Sequence, residues 1–270
     1  MKLAQTSVNG VPFGYDPAIS AAGGCAHGFS TREGGVSEGI YASLNLGANR
    51  GDDAQKVREN YRRFCAAIGA QPDKLVFSSQ VHSDVVRTVT AADAGKGLDR
   101  TSDYDADGLV TDVPGLGLTV FGADCLPILF YDPVRRVVAA VHAGWRGTAL
   151  GIAERAVEKM AGHYGSDPAD ILAAIGPGIG RCCFETHEDV PNAMTEALGA
   201  AALRYIEVLP TGKFKVDLKG LNAQRLERAG VLAEHIAVSD ECTVCSSDKY
   251  WSHRATHGQR GSQAAVIMLK

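Results

Sequence analysis

The sequence predicts a single domain in which short strands and amphipathic helices alternate around a mixed β-sheet with flanking helices. Short apolar runs bounded by Gly, Pro and Asp alternate with segments of helical period from end to end. No repeat, low-complexity tract or linker-like stretch divides the 270 residues, enough chain to bury a substantial core. The composition, 45% hydrophobic and 21% charged, is ordinary for a globular protein.

The first clear helix begins near Asp52. Asp52 and Gln55 make a capping-box-like start, Val57, Tyr61, Phe64 and Ile68 line one face, and Gly69 is a stop. Strands are expected at 75–79, 85–90 and 117–122, then at 128–131 and 137–141 on either side of a turn at Pro133. A helix over 148–161 would place Leu150, Ala153, Val157 and Met160 on one face. A strand at 171–175, a helix at 221–229 ended by Gly230, and strands at 235–238 and 264–269 complete the pattern. Glycine-rich loops fall after strands at Gly34-Gly35, 144–147 and 176–180, where a rigid sheet commonly presents its chemistry.

A formal charge of -4 without Lys or Arg runs gives no general attraction to nucleic acid or to an anionic membrane. No stretch approaches the roughly 20 apolar residues of a membrane span. The first residues hold no apolar run of signal-peptide length, so a cytoplasmic location is expected. Seven cysteines are an odd number in a sizeable chain and do not read as a disulfide framework. They are expected as buried small residues, metal ligands or nucleophiles.

The chemistry concentrates around the turn Asp132-Pro133-Val134-Arg135. Pairing the flanking apolar runs as a hairpin centred there sets Cys125 directly opposite His142, unless Pro127 bulges the strand and shifts the register. Opposed residues have Cβ atoms about 4.5–5.5 Å apart, which suits a thiolate and an imidazole sharing one ion. His82, in Ser79-Gln80-Val81-His82-Ser83 between two strands, is the third candidate ligand. The competing reading makes the histidines satisfied core or surface residues and the cysteine a buried small side chain. Cys242-Thr243-Val244-Cys245 has zinc-ligand spacing, but the adjacent pair Cys182-Cys183 does not suit a zinc knuckle, so no site is expected there.

Several blocks carry a resemblance. They are His27-Gly28-Phe29-Ser30-Thr31-Arg32-Glu33-Gly34-Gly35, Ser43-Leu44-Asn45-Leu46-Gly47, Gln80-Val81-His82, Asp105-Ala106-Asp107-Gly108-Leu109-Val110-Thr111-Asp112, Ala123-Asp124-Cys125, Val141-His142-Ala143-Gly144-Trp145-Arg146-Gly147 and Ile175-Gly176-Pro177. In this order, over nearly the whole chain, they resemble the YfiH-type family, also called laccase-domain or polyphenol-oxidase-like proteins. The resemblance implies an α+β, YfiH-like fold of mixed sheets and a zinc site on His82, Cys125 and His142. It also implies phosphorolysis of purine nucleosides, accompanied by adenosine deamination and cleavage of methylthioadenosine. Tyr250-Trp251-Ser252-His253-Arg254 and Arg260-Gly261-Ser262 depart from the family's C-terminal pattern.

Within that expectation, three protein ligands leave a fourth zinc position for water or substrate. Arg146, ahead of a helix, is the first candidate for phosphate, and Arg32 the second; for each, a solvated or structural charge is the alternative. Asn45 is expected to hydrogen-bond the nucleoside and Trp145 to stack on the base, with loop packing as the alternative for both. Asp124, beside Cys125, is a candidate proton carrier or a partner orienting the ligands, although as a strand neighbour it should face away. Three rival functions stand beside this one. A multicopper oxidase needs on the order of ten histidines, often as His-x-His pairs. This chain has eight and no such pair, leaving a single copper as the alternative occupant. A metal-free Cys125–His142 hydrolase acting on peptidoglycan precursors is the second rival, and a non-catalytic metal-binding module the third. Oligomeric state is left open.

Overall fold

The apolar runs become strands of two six-stranded sheets stacked face to face. The computed structural model describes residues 1–48 and 50–270. Its strands are β1 (Ala4–Val8), β2 (Val11–Tyr15), β3 (Cys25–Ser30), β4 (Leu75–Val76), β5 (Val86–Thr88), β6 (Gly108–Thr111), β7 (Gly117–Gly122) and β8 (Leu126–Asp132). They continue with β9 (Val137–Ala143), β10 (Leu172–Ile175), β11 (Glu185–Thr186), β12 (Ile206–Val208), β13 (Phe214–Val216), β14 (Ile236–Val238) and β15 (Gln263–Leu269). The helices are α1 (Pro17–Ala22), α2 (Ala54–Ile68), α3 (Trp145–Leu150), α4 (Ile152–Tyr164), α5 (Asp189–Leu198), α6 (Leu218–Arg228) and α7 (His253–Thr256).

The first sheet runs β1-β2-β3-β15-β7-β4 and the second β14-β10-β8-β9-β6-β5, with β11, β13 and β12 forming a small third sheet. Both large sheets are mixed: β4–β7, β5–β6 and β10–β14 are parallel and the other pairs antiparallel. Three cores follow from strand alternation. Leu118, Val120, Leu129, Val138, Ala140 and Ile267 fill the space between the sheets. The outer face of the second sheet packs Ile128, Phe130, Ala139 and Val141 against Ala153, Val157, Met160 and Leu221 of its helices. The outer face of the first packs Val266 and Ala264 against Val57, Tyr61 and Phe64 of α2.

The expected register of the β8–β9 hairpin is corrected by two residues: Leu126 faces Ala143, Pro127 faces His142 and Asp132 faces Val137. The loop is longer than a tight turn because Asp132 Oδ1 accepts from both Val134 N and Arg135 N, at 2.8 and 2.9 Å, and Arg136 takes a left-handed φ of 54°. Pro127 is accommodated without a bulge, since His142 directs its N–H to Asp107 O on the other side, at 2.7 Å. A slip of two keeps every side chain on its own face. Cys125 and His142 therefore still share the side that carries Leu129 and Val138, between the sheets.

Two helices also differ. The cap of α2 is Asp53, whose Oδ1 accepts from Gln55 N and Lys56 N, while Asp52 accepts from Ser37 and Asn45 instead. The helix expected at 148–161 is α3 and α4, broken at Gly151 with φ of 86°. The break rotates Leu150 out of the stripe, leaving it 52% exposed while Ala153, Val157 and Met160 are buried.

Candidate metal centre

His82, Cys125 and His142 converge, their donor atoms all within 4.8 Å of one another. Each arrives by a different device. His142 continues the inter-sheet face of β9 beyond Ala140, at the end of the core. Cys125 lies in the bend just before β8, after Asp124, whose φ is 95°. His82 sits in the loop between β4 and β5 with φ of 64°, a left-handed conformation that L side chains adopt only when their surroundings impose it.

What imposes it is Asp107, at the foot of β6 and fully buried. Its Oδ2 accepts from Val81 N, Ser83 N and Ser83 Oγ at 3.1, 2.7 and 2.8 Å, and its Oδ1 from His82 N at 3.0 Å. The same Oδ1 lies 2.9 Å from His142 Nδ1. One carboxylate thus moulds the His82 loop and orients the His142 ring, with Nδ1 bearing the proton and Nε2 left to act as donor. Burial alone would raise the Asp107 carboxyl, but His142 and the Ser83 N–H and hydroxyl hold it down at about 2. No role was expected for Asp107 from the sequence. The signal was an acid immediately before a buried strand, where a charge persists only if it is paired.

The electrostatics of the three donors are mutual. Burial pushes the Cys125 thiol up, yet His142 and His82 outweigh it and bring it to about 6. His142, pushed down by burial, is raised to about 9 by Cys125 and Asp107. Cys125 Sγ lies 3.9 Å from His82 Nε2, and the two imidazole rings meet edge-on with centroids 4.9 Å apart. Tetrahedral zinc with bonds of about 2.3 Å to sulfur and 2.0 Å to nitrogen brings those donors to about 3.5 Å. The donor set fits such an ion after a small adjustment.

The remaining expected residues divide. Asp124 points away from the cluster: Oδ1 accepts from Thr243 Oγ1 and Oδ2 from Arg254 N, both at 2.7 Å. Arg32 spends its guanidinium on the carbonyls of Ala42 and Ser247 and lies 4.1 Å above the Trp251 ring, the structural alternative for that residue. Asn45 is fully buried, accepting from Gly47 N and Ser262 N at 2.9 Å and donating to Asp52, so it organises a loop. Arg146 is exposed, 4.3 Å over the ring of Trp145, with no acceptor among the described residues. The helix behind it, α3, has only six residues and contributes little dipole.

Arg260 was also missed. Burial and the neighbouring Arg50 lower its guanidinium to about 10, against the opposing charges of Asp124 and Cys125. Arg50 and Ser262, the latter held by Arg260, border a cavity of about 730 Å³ that also takes in Phe77, Gln80 and Phe121. Gln80, two residues before His82, is bonded in both directions to the Phe121 backbone, so the cavity and the loop that carries His82 share a wall. The spacing did not foretell one feature: Cys182, Cys183, Cys242 and Cys245 are brought together, with their sulfur atoms all within 4.8 Å of one another. The adjacent pair reaches the other two because the loop at 180–183 turns back on itself, with Cys183 N donating to Gly180 O at 3.0 Å.

Fold and donor set together define an α+β protein in which two imidazoles and a thiol, side chains able to hold a metal ion, are gathered together and braced by a buried carboxylate. The chain belongs to the family described as multi-copper polyphenol oxidoreductase laccase, whose model matches residues 26–270. It is 38% identical over 247 residues to the purine nucleoside phosphorylase YlmD of Geobacillus stearothermophilus, covering 90% of both chains. A purine nucleoside phosphorylase of Deinococcus radiodurans is 40% identical over 243 residues, covering 90% of this chain and 88% of that one. The crystal structure of YlmD from Geobacillus stearothermophilus superposes with a TM-score of 0.93 at 35% identity, covering 100% of each chain. The YfiH-type resemblance and the α+β fold of mixed sheets both hold.

Proposed function

We propose that this protein is a zinc-dependent purine nucleoside phosphorylase, converting adenosine or inosine and phosphate to free base and ribose 1-phosphate. Adenosine deamination and methylthioadenosine cleavage are its side activities. The observation that carries the reading is the convergence of His82, Cys125 and His142 beside a cavity bordered by Arg50 and close to Arg260. The names of the relatives support the reaction, and the volume suits a nucleoside.

Zinc held there supplies a Lewis acid and a water acidified towards neutrality, the arrangement of a catalytic site with three protein ligands. Asp107 keeps His142 in one tautomer and orientation. Arg146, which meets no acceptor among the described residues, offers a charge-assisted contact to phosphate. Trp145 is half-buried against the core beneath it, with one ring face under Arg146, and its exposed part offers a stacking contact to a purine. Asp124 acts as a positioning residue through its bonds to Thr243 and Arg254. The family's copper-oxidase description fits the residues less well. Among the described residues, the only metal-ligating cluster with histidine is this one, too few imidazoles for several coppers.

A second reading has its own support. Cys125 lowered to about 6, His142 raised to about 9 and Asp107 behind it compose a thiolate–imidazolium–carboxylate line, the parts of a metal-free cysteine hydrolase. His82 argues against it, because such a hydrolase has no use for a second imidazole against the thiolate. Product analysis with inosine decides: base and ribose 1-phosphate only when phosphate is present support the phosphorylase. Base released equally without phosphate refutes it, and loss of all turnover on chelation separates the zinc enzyme from the hydrolase.

A further inference from the structure

The second thiol cluster serves none of the chemistry above. Cys182 and Cys183 lie in the loop after β10, and Cys242 and Cys245 follow β14. Two chain segments about sixty residues apart deliver four sulfur atoms to one point. Cys245 Sγ is 3.4 Å from Cys183 Sγ and 3.6 Å from Cys182 Sγ, and all four lie within 4.8 Å. A tetrahedral ion with zinc–sulfur bonds of about 2.3 Å sets its sulfurs about 3.8 Å apart. The two Cys245 separations fall within about 0.4 Å of that value, and they are far too long for a disulfide, whose sulfurs are about 2.05 Å apart.

The surroundings favour anionic sulfur at Cys242. Gly180 N donates to Cys242 Sγ at 3.2 Å, the amide-to-sulfur bond that stabilises thiolate ligands. A Cβ on Gly180 would stand 3.1 Å from Cys242 Cβ and 3.2 Å from Cys182 Sγ, so the bare backbone is what lets the loop close on the thiols. Buried Lys219, bonded to Ser239 O and Glu241 O at 2.9 and 2.5 Å, feels the charge of Cys242. Four thiolates around a divalent ion leave a net charge of about -2. The Lys219 ammonium offsets part of it.

We propose that Cys182, Cys183, Cys242 and Cys245 bind a structural zinc ion as a closed four-thiolate site, separate from His82, Cys125 and His142. Binding is not redox: the bound thiols become thiolates and release their protons to solvent. The ion clamps the two loops where Gly178 and Cys242 already bridge, with Thr243 N donating to Gly178 O at 3.1 Å. Thr243 in turn holds Asp124, the residue before Cys125. The second ion therefore stiffens the segment that presents one ligand of the first.

The test is elemental analysis of the full chain expressed in zinc-replete medium, together with Co²⁺ substitution. Cys125→Ser isolates the second site, so the outcome does not depend on zinc at the first. This variant should keep about one zinc per chain and give the intense sulfur-to-cobalt charge-transfer bands of a four-thiolate complex. Adding Cys245→Ser should lower its bound zinc about tenfold or more, whereas adding Cys245→His, which restores a fourth donor, should retain the metal with a shifted cobalt spectrum. Should the Cys245→Ser variant fold poorly, mercurial titration of the Cys125→Ser protein reads the same site, releasing this zinc as the thiols are blocked. A Cys125→Ser variant without zinc overturns the proposal, as does zinc indifferent to Cys245→Ser. So does a pair of thiols missing from the denatured-state count, which would mean a disulfide.

Discussion

Replacing Asp107 by Asn tests how much of the centre depends on one carboxylate. The substitution keeps the volume but turns one acceptor oxygen into a donor. Asp107 Oδ2 accepts from Val81 N, Ser83 N and Ser83 Oγ, and Oδ1 accepts from His82 N and faces His142 Nδ1. Whichever way the amide sits, at least two donors lose their acceptor. An unmet buried donor costs about 1–3 kcal/mol, and the loop is open enough for water to recover part of it, so a loss of about 3 kcal/mol in folding stability is expected. Metal affinity should fall further than that local strain alone explains. His142 loses the partner that fixes its tautomer, and His82 loses the anchor of its left-handed backbone; supports of this kind are worth about 10–100-fold in affinity. Chelator competition gives the zinc affinity and urea unfolding of the metal-free protein gives the stability. An Asp107→Asn protein that binds zinc within about threefold of the parent and unfolds at the same urea concentration would refute the argument.

Three further outcomes are expected. Cys125→Ser should lose zinc from the His82–Cys125–His142 site, with phosphorolysis falling at least about a hundredfold, checked by elemental analysis beside the inosine assay. Arg146→Ala should raise the Michaelis constant for phosphate about ten- to a hundredfold, the worth of a charge-assisted contact of roughly 1.5–3 kcal/mol, and spare adenosine deamination, which uses water; equal loss of both would mean another role. His27 is buried with Nε2 accepting from Asp16 N at 2.9 Å, and burial lowers it to about 4. The unfolded chain takes up a proton near pH 6.5 that the folded state refuses until about 4, so stability should fall across that window by up to about 3 kcal/mol. Urea unfolding as a function of pH reads this directly, and His27→Gln, which keeps an acceptor, should flatten the acid limb.

Much of this was legible in the residues, and the failures have physical causes. Strand β7 lies where expected, as a short apolar run between turn residues that is buried on both faces, and Val57, Tyr61, Phe64 and Ile68 of α2 are all buried because their helical period lines one face. The hairpin of β8 and β9 was visible, but its register depends on a side-chain cap by Asp132 that the apolar pattern does not encode. The slip was harmless to the site since side chains alternate with period two. Asn9-Gly10, with φ of 51° and 76°, is a two-residue hairpin turn and a strong sequence signal. It escapes a search for apolar runs because β1 is mostly exposed. Among the site residues, donor types announce themselves and their supports do not. His82, Cys125 and His142 stand out by chemistry. Asn45 and Arg32 look equally functional in sequence, yet long-range bonds to Ser262 and Ser247 turn them into loop fasteners. The four clustered cysteines failed the spacing rule because that rule assumes each half of a site comes from a single knuckle.

The placement of β15 has a consequence for how the chain is made. It lies in the middle of the first sheet, pairing β3 on one side through Val266–Gly28 and β7 on the other through Val266–Thr119. On the ribosome, residues 25–30 emerge long before residues 263–269. At about 5–20 residues per second, the gap between them is of the order of ten seconds or more. Through that interval β3 and β7 each present an unpaired, largely apolar edge, the template on which nascent chains associate with one another. Shortening the chain by its last strand would make that exposure permanent. The centre between the sheets would then lose its floor, with every ligand still in the sequence.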